Sequence, residues 1–287
     1  MKYHFYEKRK LLYFISAVLL AVSLVSLLFL GLNQGVEFRS GTLMDIRFTD
    51  ETVSIEQIRG ILAEYGLEQS SITQAGEGTF VIKSIEISEE TQNMVTGSYR
   101  ETLGEYELLR LESIGPIIGK ELTQNGILAL VIASALMLVY ISIRFQWKYA
   151  ISAILCLIHD SLIMLGFFSV FQFEIEGSFI AAVLTIIGYS INNTIVVFDR
   201  VRENTRLHPK WSSGEMVNNS IGQTLVRSIN LSVTVALVLA TLILFGGETT
   251  KSFAIALFVG NVAGFYSSAF IAANLWMDFK PKGIKAA

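Results

Sequence analysis

Two side-chain amides, Asn192 and Asn193, stand together in a stretch, Thr185 to Asn204, whose first half is apolar and whose last third carries Asp199, Arg200, Arg202 and Glu203. An amide is costly in hydrocarbon unless it faces protein or a water-filled path, so the pair is a candidate for lining one. Amides that merely bond across helices, for about 1 kcal/mol or less, give the same pattern. A second polar intrusion is His159-Asp160, near the middle of another apolar run. A carboxylate at that depth usually faces the bundle interior or an aqueous cavity, although a pair bonding a neighbouring helix reads the same way. The third is a stripe, Asn219, Gln223, Arg227, Asn230 and Thr234, spaced by four, four, three and four residues along one helix face. It points to an inward polar face carrying Arg227, while an arginine snorkelling to the interface explains that charge alone. Asp199 and Arg200 mark the cytoplasmic end of the first stretch, where a solvated basic face accounts for them without further function. There is no Cys or His cluster, Gly-rich phosphate loop or nucleophile–base pair, so neither an enzyme nor a cofactor is expected, and no basic patch suggests nucleic acid.

These residues need apolar elements to hold them. Of the 287 residues, 52% are hydrophobic and 16% charged, against about 45–50% and 25% in a typical soluble domain. The excess falls in runs, which predicts a polytopic α-helical membrane protein in contact with lipid. Six spans are expected: Leu11–Leu32, then segments near Gly126–Ile143, Tyr149–Phe171, Phe179–Phe198, Ile229–Phe245 and Phe253–Trp276. The first follows a basic head, as a signal peptide does. Its apolar core is longer, and it passes into Gly31-Leu-Asn-Gln-Gly35 without a small-residue cleavage pattern, so it reads as a retained span. The lone Cys156 lies in an apolar run and reads as a packed small residue.

Charge sets the orientation. Lys2, Lys8, Arg9 and Lys10, the turn with Arg144 and Lys148, the loop with Arg200, Arg202, Arg206 and Lys210, and the tail with Lys280, Lys282 and Lys285 all fall on one side. The short loops of the other side carry Lys251 with Glu174, Glu176 and Glu248. The positive-inside rule then puts both termini in the cytoplasm. Trp147 and Trp276 fall near predicted boundaries, as interfacial anchors do.

Three regions follow: residues 1–34 as cytoplasmic head and first span, 35–115 as a small extracytoplasmic α+β domain, and 116–287 as a five-helix bundle with a cytoplasmic end. In the domain, Thr42–Phe48 alternates like a half-buried strand. Ser54 can cap a helix from Ile55 through Tyr65 that stops at Gly66. Strands are expected at Ser71–Gln74, Thr79–Ile85 and Glu107–Glu112, with a second helix over Glu89–Gly104.

Several motifs in order resemble the SecF family. They are Gly35-Val-Glu-Phe-Arg-Ser-Gly41, Ile114-Gly-Pro-Ile-Ile-Gly-Lys-Glu-Leu122, Arg144-Phe-Gln-Trp-Lys148, His159-Asp160, the segment from Ile187 to Asn204, Gln223-Thr-Leu-Val-Arg-Ser-Ile-Asn230 and Leu244-Phe-Gly-Gly-Glu248. The resemblance implies a bacterial inner-membrane protein that pairs with SecD in a twelve-span assembly similar to resistance–nodulation–division transporters. It implies work with the SecYEG channel and YajC on an exported unfolded polypeptide, driven by a proton or sodium gradient. The ion path would lie between spans four and five, lined by Asn192, Asn193 and Arg227 with Asp160 as a neighbour, and the external domain would contact the exported chain or SecD.

Two departures stand out. Glu37 and Ser40 occupy positions where the family has aspartate and glycine, and Asn193 stands where the family commonly has an aspartate implicated in proton transfer with the arginine matching Arg227. An amide has nearly the shape of a carboxylate but exchanges no proton near neutral pH, and it leaves Arg227 without its expected counter-charge. Three explanations are open: a neutralised variant, a relative that relies on Asp160 or on a carboxylate from SecD, or lost coupling. The rival functions are a homodimeric small-molecule exporter and an uncoupled scaffold of the translocon.

Overall fold

The computed structural model describes residues 4–145 and 147–279; Lys2, Lys280, Lys282 and Lys285 lie outside the described residues, as does the side chain of Glu248. The chain divides into two compact units, Gln34–Ile127 and a second formed by residues up to Asn33 with those from Leu128 onward. The division falls inside a helix, twelve residues beyond the expected boundary at 115.

After the first helix, α1 (Arg9–Phe29), the chain enters the smaller unit. There a one-turn helix, α2 (Val36–Arg39), leads to β1 (Gly41–Phe48), α3 (Ile55–Glu64), β2 (Ser71–Gly76), β3 (Thr79–Ser84), α4 (Glu89–Leu103) and β4 (Tyr106–Ile114). Local chemistry sets the limits. Ser54 and Gln57 form a reciprocal capping box at the start of α3, and Gly66 takes φ +72° just past its end. Ser88 caps α4 by accepting from the Thr91 N–H. The sheet order is β2-β3-β1-β4, every neighbouring pair antiparallel, which is the ferredoxin-like βαββαβ arrangement. Alternate residues Met44, Ile46 and Phe48 of β1 and Phe80 and Ile82 of β3 enter one core with Ile58 and Leu62 of α3 and Val95 and Tyr99 of α4. Each large apolar side chain contributes about 1.5–3 kcal/mol by leaving water. The α+β expectation holds; the pairing order and α2 are additions from the structure.

The other unit is the helical bundle. Among the described residues, six helices are long and apolar enough to cross a membrane. They are α1, α5 (Pro116–Arg144), α6 (Trp147–Phe171), α7 (Gly177–Leu207), α8 (Ser213–Phe245) and a last span over Thr250–Asp278. That last span is built of α9 (Glu248–Tyr266), one π-helical turn at Ser267–Ile271, and α10 (Ala272–Asp278). α7 and α8 outrun the expected apolar segments. The 31 residues of α7 make about 46 Å, well beyond a hydrocarbon core of about 30 Å. Their polar ends persist because they pack on each other: buried Asn204 donates to Ser220 Oγ at 2.8 Å and to Gln223 Oε1 at 2.9 Å. A capping box of Ser212 and Glu215 starts α8.

α7 and the last span are half buried, whereas α5 and α8 keep most of their surface open. Trp147 is exposed, but Trp276 is buried and stacks on Tyr149 at 4.6 Å. The expected boundary anchor at 276 is therefore a packing residue, because α10 turns that face onto α6.

Candidate ion-pathway site

Small residues bring the central helices together. Gly260 and Gly264 of α9 face Ile186 and Ser190 of α7, and a methyl group on Gly264 would sit 3.1 Å from Ser190 Cβ and 3.6 Å from Asp160 Oδ2. Close approach at glycine and serine is how membrane helices pack without a hydrophobic driving force. One turn further along, the π-helical turn adds a residue to the helix and presents Ser267 and Ser268 to the same seam. Such turns are rare and are frequently found at functional positions.

The result is a buried polar cluster drawn from four helices. Asp160, 1% exposed, accepts at one oxygen, Oδ2, from Ser190 Oγ at 2.7 Å and Ser267 Oγ at 2.8 Å. Its other oxygen lies 2.9 Å from His159 Nδ1, and His159 Nε2 lies 3.2 Å from Ser16 Oγ on α1. The His159 ring stacks on Tyr266. Just beyond, Thr194 and Ser268 share a hydrogen bond of 2.8 Å, and Ser268 Oγ donates to the Ser190 carbonyl at 3.1 Å.

Asn193 is 1% exposed, and its buried amide nitrogen has no hydrogen-bond partner among the described residues. The same is true of Ser232 Oγ on α8 and Asn261 Oδ1 on α9, although Asn261 donates to the Ser232 carbonyl at 3.0 Å. A polar atom left unpaired in a buried seam costs about 1–3 kcal/mol, so each of these atoms calls for a partner such as water, an ion or a neighbouring chain.

The other anticipated residues lie elsewhere. Asn192 is exposed, turned about 100° around α7 from the buried Asn193. Asn219, Gln223, Arg227, Asn230 and Thr234 all lie on the open face of α8, while Val217, Ser220, Ile221, Thr224 and Ser228 pack inward. No hydrogen bond or ion pair links Arg227 to Asn193. Asp199 sits 3.8 Å from Arg144, and Arg200 pairs with Glu203 at 2.9 Å; all four side chains are solvent-accessible. The structure thus joins Asp160 to α7 one turn from Asn193 and sets Asn192 and Arg227 on outward faces.

Sequence reasoning passed over Ser16, Ser190, Ser267 and Ser268. The one available signal was the Ser267-Ser268 pair inside an apolar run, and nothing in the periodicity announced a π-turn there. Among the described residues, no group of three or more His, Cys, Asp or Glu gathers that could hold a metal ion. The cluster joins a buried carboxylate, an imidazole and several hydroxyls in one hydrogen-bonded chain.

Comparison with known proteins gives a consistent answer. The family described as "Protein export membrane protein SecD/SecF, C-terminal" matches residues 94–282, and the SecD/SecF GG motif matches residues 25–51. Protein translocase subunit SecF of Sebaldella termitidis is 39% identical over 275 residues, covering 93% of this chain and 89% of that protein. That of Acidaminococcus fermentans is 38% identical and covers 98% of both. SecDF of Bacillus subtilis is 37% identical across 99% of this chain, which spans 39% of it. Among solved structures, SecDF from Thermus thermophilus, described as a translocon-associated membrane protein, superposes with a TM-score of 0.86 at 33% identity. That match covers 96% of this chain and 38% of that one. A SecDF structure in a super-membrane-facing form gives 0.73.

Proposed function

The chain belongs to the SecD/SecF family of protein export membrane proteins, and from that premise we propose that it is the SecF-type half of a two-part translocase that draws on an ion gradient. Its role is that of a transport subunit in protein export rather than an enzyme. Its partners are a SecD-type half, the SecYEG channel with YajC, and the emerging unfolded polypeptide. It sits in the bacterial inner membrane with both termini in the cytoplasm and the α+β unit outside.

The observation that carries this reading is the open face of α8. Arg227 and four other polar residues are exposed there beside Val226, Ile229, Val233 and Leu237, and Asn192 is exposed on α7. A membrane helix tolerates such a row only against protein or an aqueous path. A second six-helix half supplies both. In the SecDF relatives the matching region is under half of the chain, so further chain is at hand there to cover that face. Basic residues Arg9, Arg144, Lys148, Arg200 and Arg206 gather at one end of the bundle, where Arg9 also meets Asp278 at 3.3 Å; the positive-inside rule makes that end cytoplasmic.

In this reading Asn192 and Arg227 face the partner half, Asn193 lines the path from the inner side, Asp160 supplies the carboxylate this chain retains, and Asp199 and Arg200 form the cytoplasmic mouth. The test is gradient-dependent export into membrane vesicles by the chain with its co-purified partner, comparing Asn193→Asp and Arg227→Ala with the parent. Arg227→Ala is expected to lower the gradient-stimulated rate and leave the basal rate intact. If neither change alters gradient stimulation, the scaffold reading replaces this one. Isolation as a homodimer without a SecD-type protein favours a small-molecule exporter.

A further inference from the structure

We propose that His159 and Asp160 form a proton-holding dyad that releases and regains one proton through its Ser16 end, while Ser190 and Ser267 hold the carboxylate left behind. Asp160 is buried midway along α6, and no lysine or arginine among the described residues bonds it. The titratable groups around it are His159 beside it and Cys156 one turn back on α6, Tyr266 of α9 against the His159 ring, and Tyr13 of α1 near Cys156; α1 and α7 also present serines 16 and 190 to the pair. An ionised carboxylate alone in such a place is costly, so a neutral pair is the resting form.

The observed geometry fits that pair and its deprotonated form equally well. In the neutral pair, Asp160 Oδ1–H donates to His159 Nδ1, and His159 Nε2–H donates to Ser16 Oγ, across the 2.9 and 3.2 Å contacts. When one proton leaves, the Nε2 proton passes by way of Ser16 to water and the Oδ1 proton moves to Nδ1. The imidazole is left neutral in its other tautomer, with Nε2 now accepting from the Ser16 hydroxyl. The carboxylate so formed keeps the Nδ1–H bond at Oδ1 and the Ser190 and Ser267 hydroxyl donors at Oδ2. Reprotonation reverses these steps: a proton returns by way of Ser16 to Nε2, and the Nδ1 proton moves back to Oδ1. One proton leaves and one returns at the α1–α6 seam, and the exchange ends with the Oδ1–H and Nε2–H bonds it began with. Ser190, Ser267 and Ser16 are positioning residues, and the π-helical turn is what brings Ser267 within reach.

This deepens the ion-gradient reading by naming the proton and its site, and it rests on that reading only for its use in export. The experiment is infrared difference spectroscopy of the full chain in phospholipid vesicles stepped between about pH 5 and pH 8. The expected spectrum contains a protonated-carboxyl stretch that moves in D2O and on 13C labelling of aspartate, is absent in Asp160→Asn, and changes frequency in Ser190→Ala and Ser267→Ala. His159→Gln is expected to remove the accompanying imidazole bands, and it decides the matter if Asp160→Asn fails to fold. A spectrum without that carboxyl band, or one in which it survives Asp160→Asn, overturns the proposal. If the parent protein shows no gradient stimulation, the function proposed above falls, and the infrared result still decides the dyad.

Discussion

Replacing Gly166 by alanine tests the seam that joins α1 to the bundle. A methyl group there would lie 2.6 Å from Ser23 Cα and closer still to the Ser23 side chain. Backbone cannot rotate away, so the helices must part by about 1 Å before packing is restored. Two hydrogen bonds flank the contact, Ser26 with Ser169 at 2.7 Å and His159 with Ser16 at 3.2 Å. Opening the seam lengthens both past useful range. Their loss costs about 1 kcal/mol each, and overpacking adds about 1–3. Better helix propensity returns about 1, leaving a net destabilisation of about 2–4 kcal/mol. Gly188 is the control, since nothing lies within 4 Å of an added methyl, and its alanine variant is expected to be neutral or more stable by up to about 1 kcal/mol. Denaturant unfolding of the full chain in lipid–detergent micelles, followed by tryptophan fluorescence, measures both. A Gly166→Ala protein as stable as Gly188→Ala would refute the packing described for α1 and α6.

Other substitutions probe local chemistry. Ser40 is held at φ 69°, ψ 141°, a conformation that costs a non-glycine residue about 1–3 kcal/mol; Ser40→Gly is expected to raise the thermal midpoint, and Ser40→Val to lower it. Ser54→Ala removes the capping box of α3 and is expected to cost about 1 kcal/mol, seen as faster amide exchange in its first turn. The Asn218 side chain donates to Glu7 at 2.9 Å and, ahead of smaller contributions, holds that carboxyl below its usual range. The tie of the N-terminal segment to α8 is therefore intact above the usual glutamate range and lost as pH falls through the depressed value; protease access to the segment reads this, and Glu7→Gln should abolish the pH response. Asp45 has the opposite sign. Burial raises its carboxyl against the pull of Arg110 and Lys83, so stability declines as pH rises through the raised value, and Asp45→Asn should flatten that decline in an unfolding series across pH.

The architecture was legible because each signal is local. Six apolar runs, a capping serine before Ile55, Gly66 after Tyr65 and alternation through Thr42–Phe48 fix helices and strands through backbone preference and burial period, whatever they pack against. The ends of α7 and α8 were not, since Asn204 stays helical only by bonding Ser220 and Gln223 on another helix. For the site, the sequence marked Asp160, Asn192, Asn193 and Arg227 as polar in apolar surroundings, but it could not say which way each points. Adjacent residues on a helix diverge by about 100°, and only packing against α9 decided that Asn193 turns inward and Asn192 outward. The partners of Asp160 are further still from being readable. Ser16, Ser190 and Ser267 are common residues on three separate helices, and a π-helical turn, a single-residue change in winding, brings the last of them to the carboxylate. Composition determines that this chain crosses a membrane and carries polar groups within it; the tertiary contacts determine which of those groups meet, because hydrogen bonds between helices depend on rotation and register that no one helix encodes.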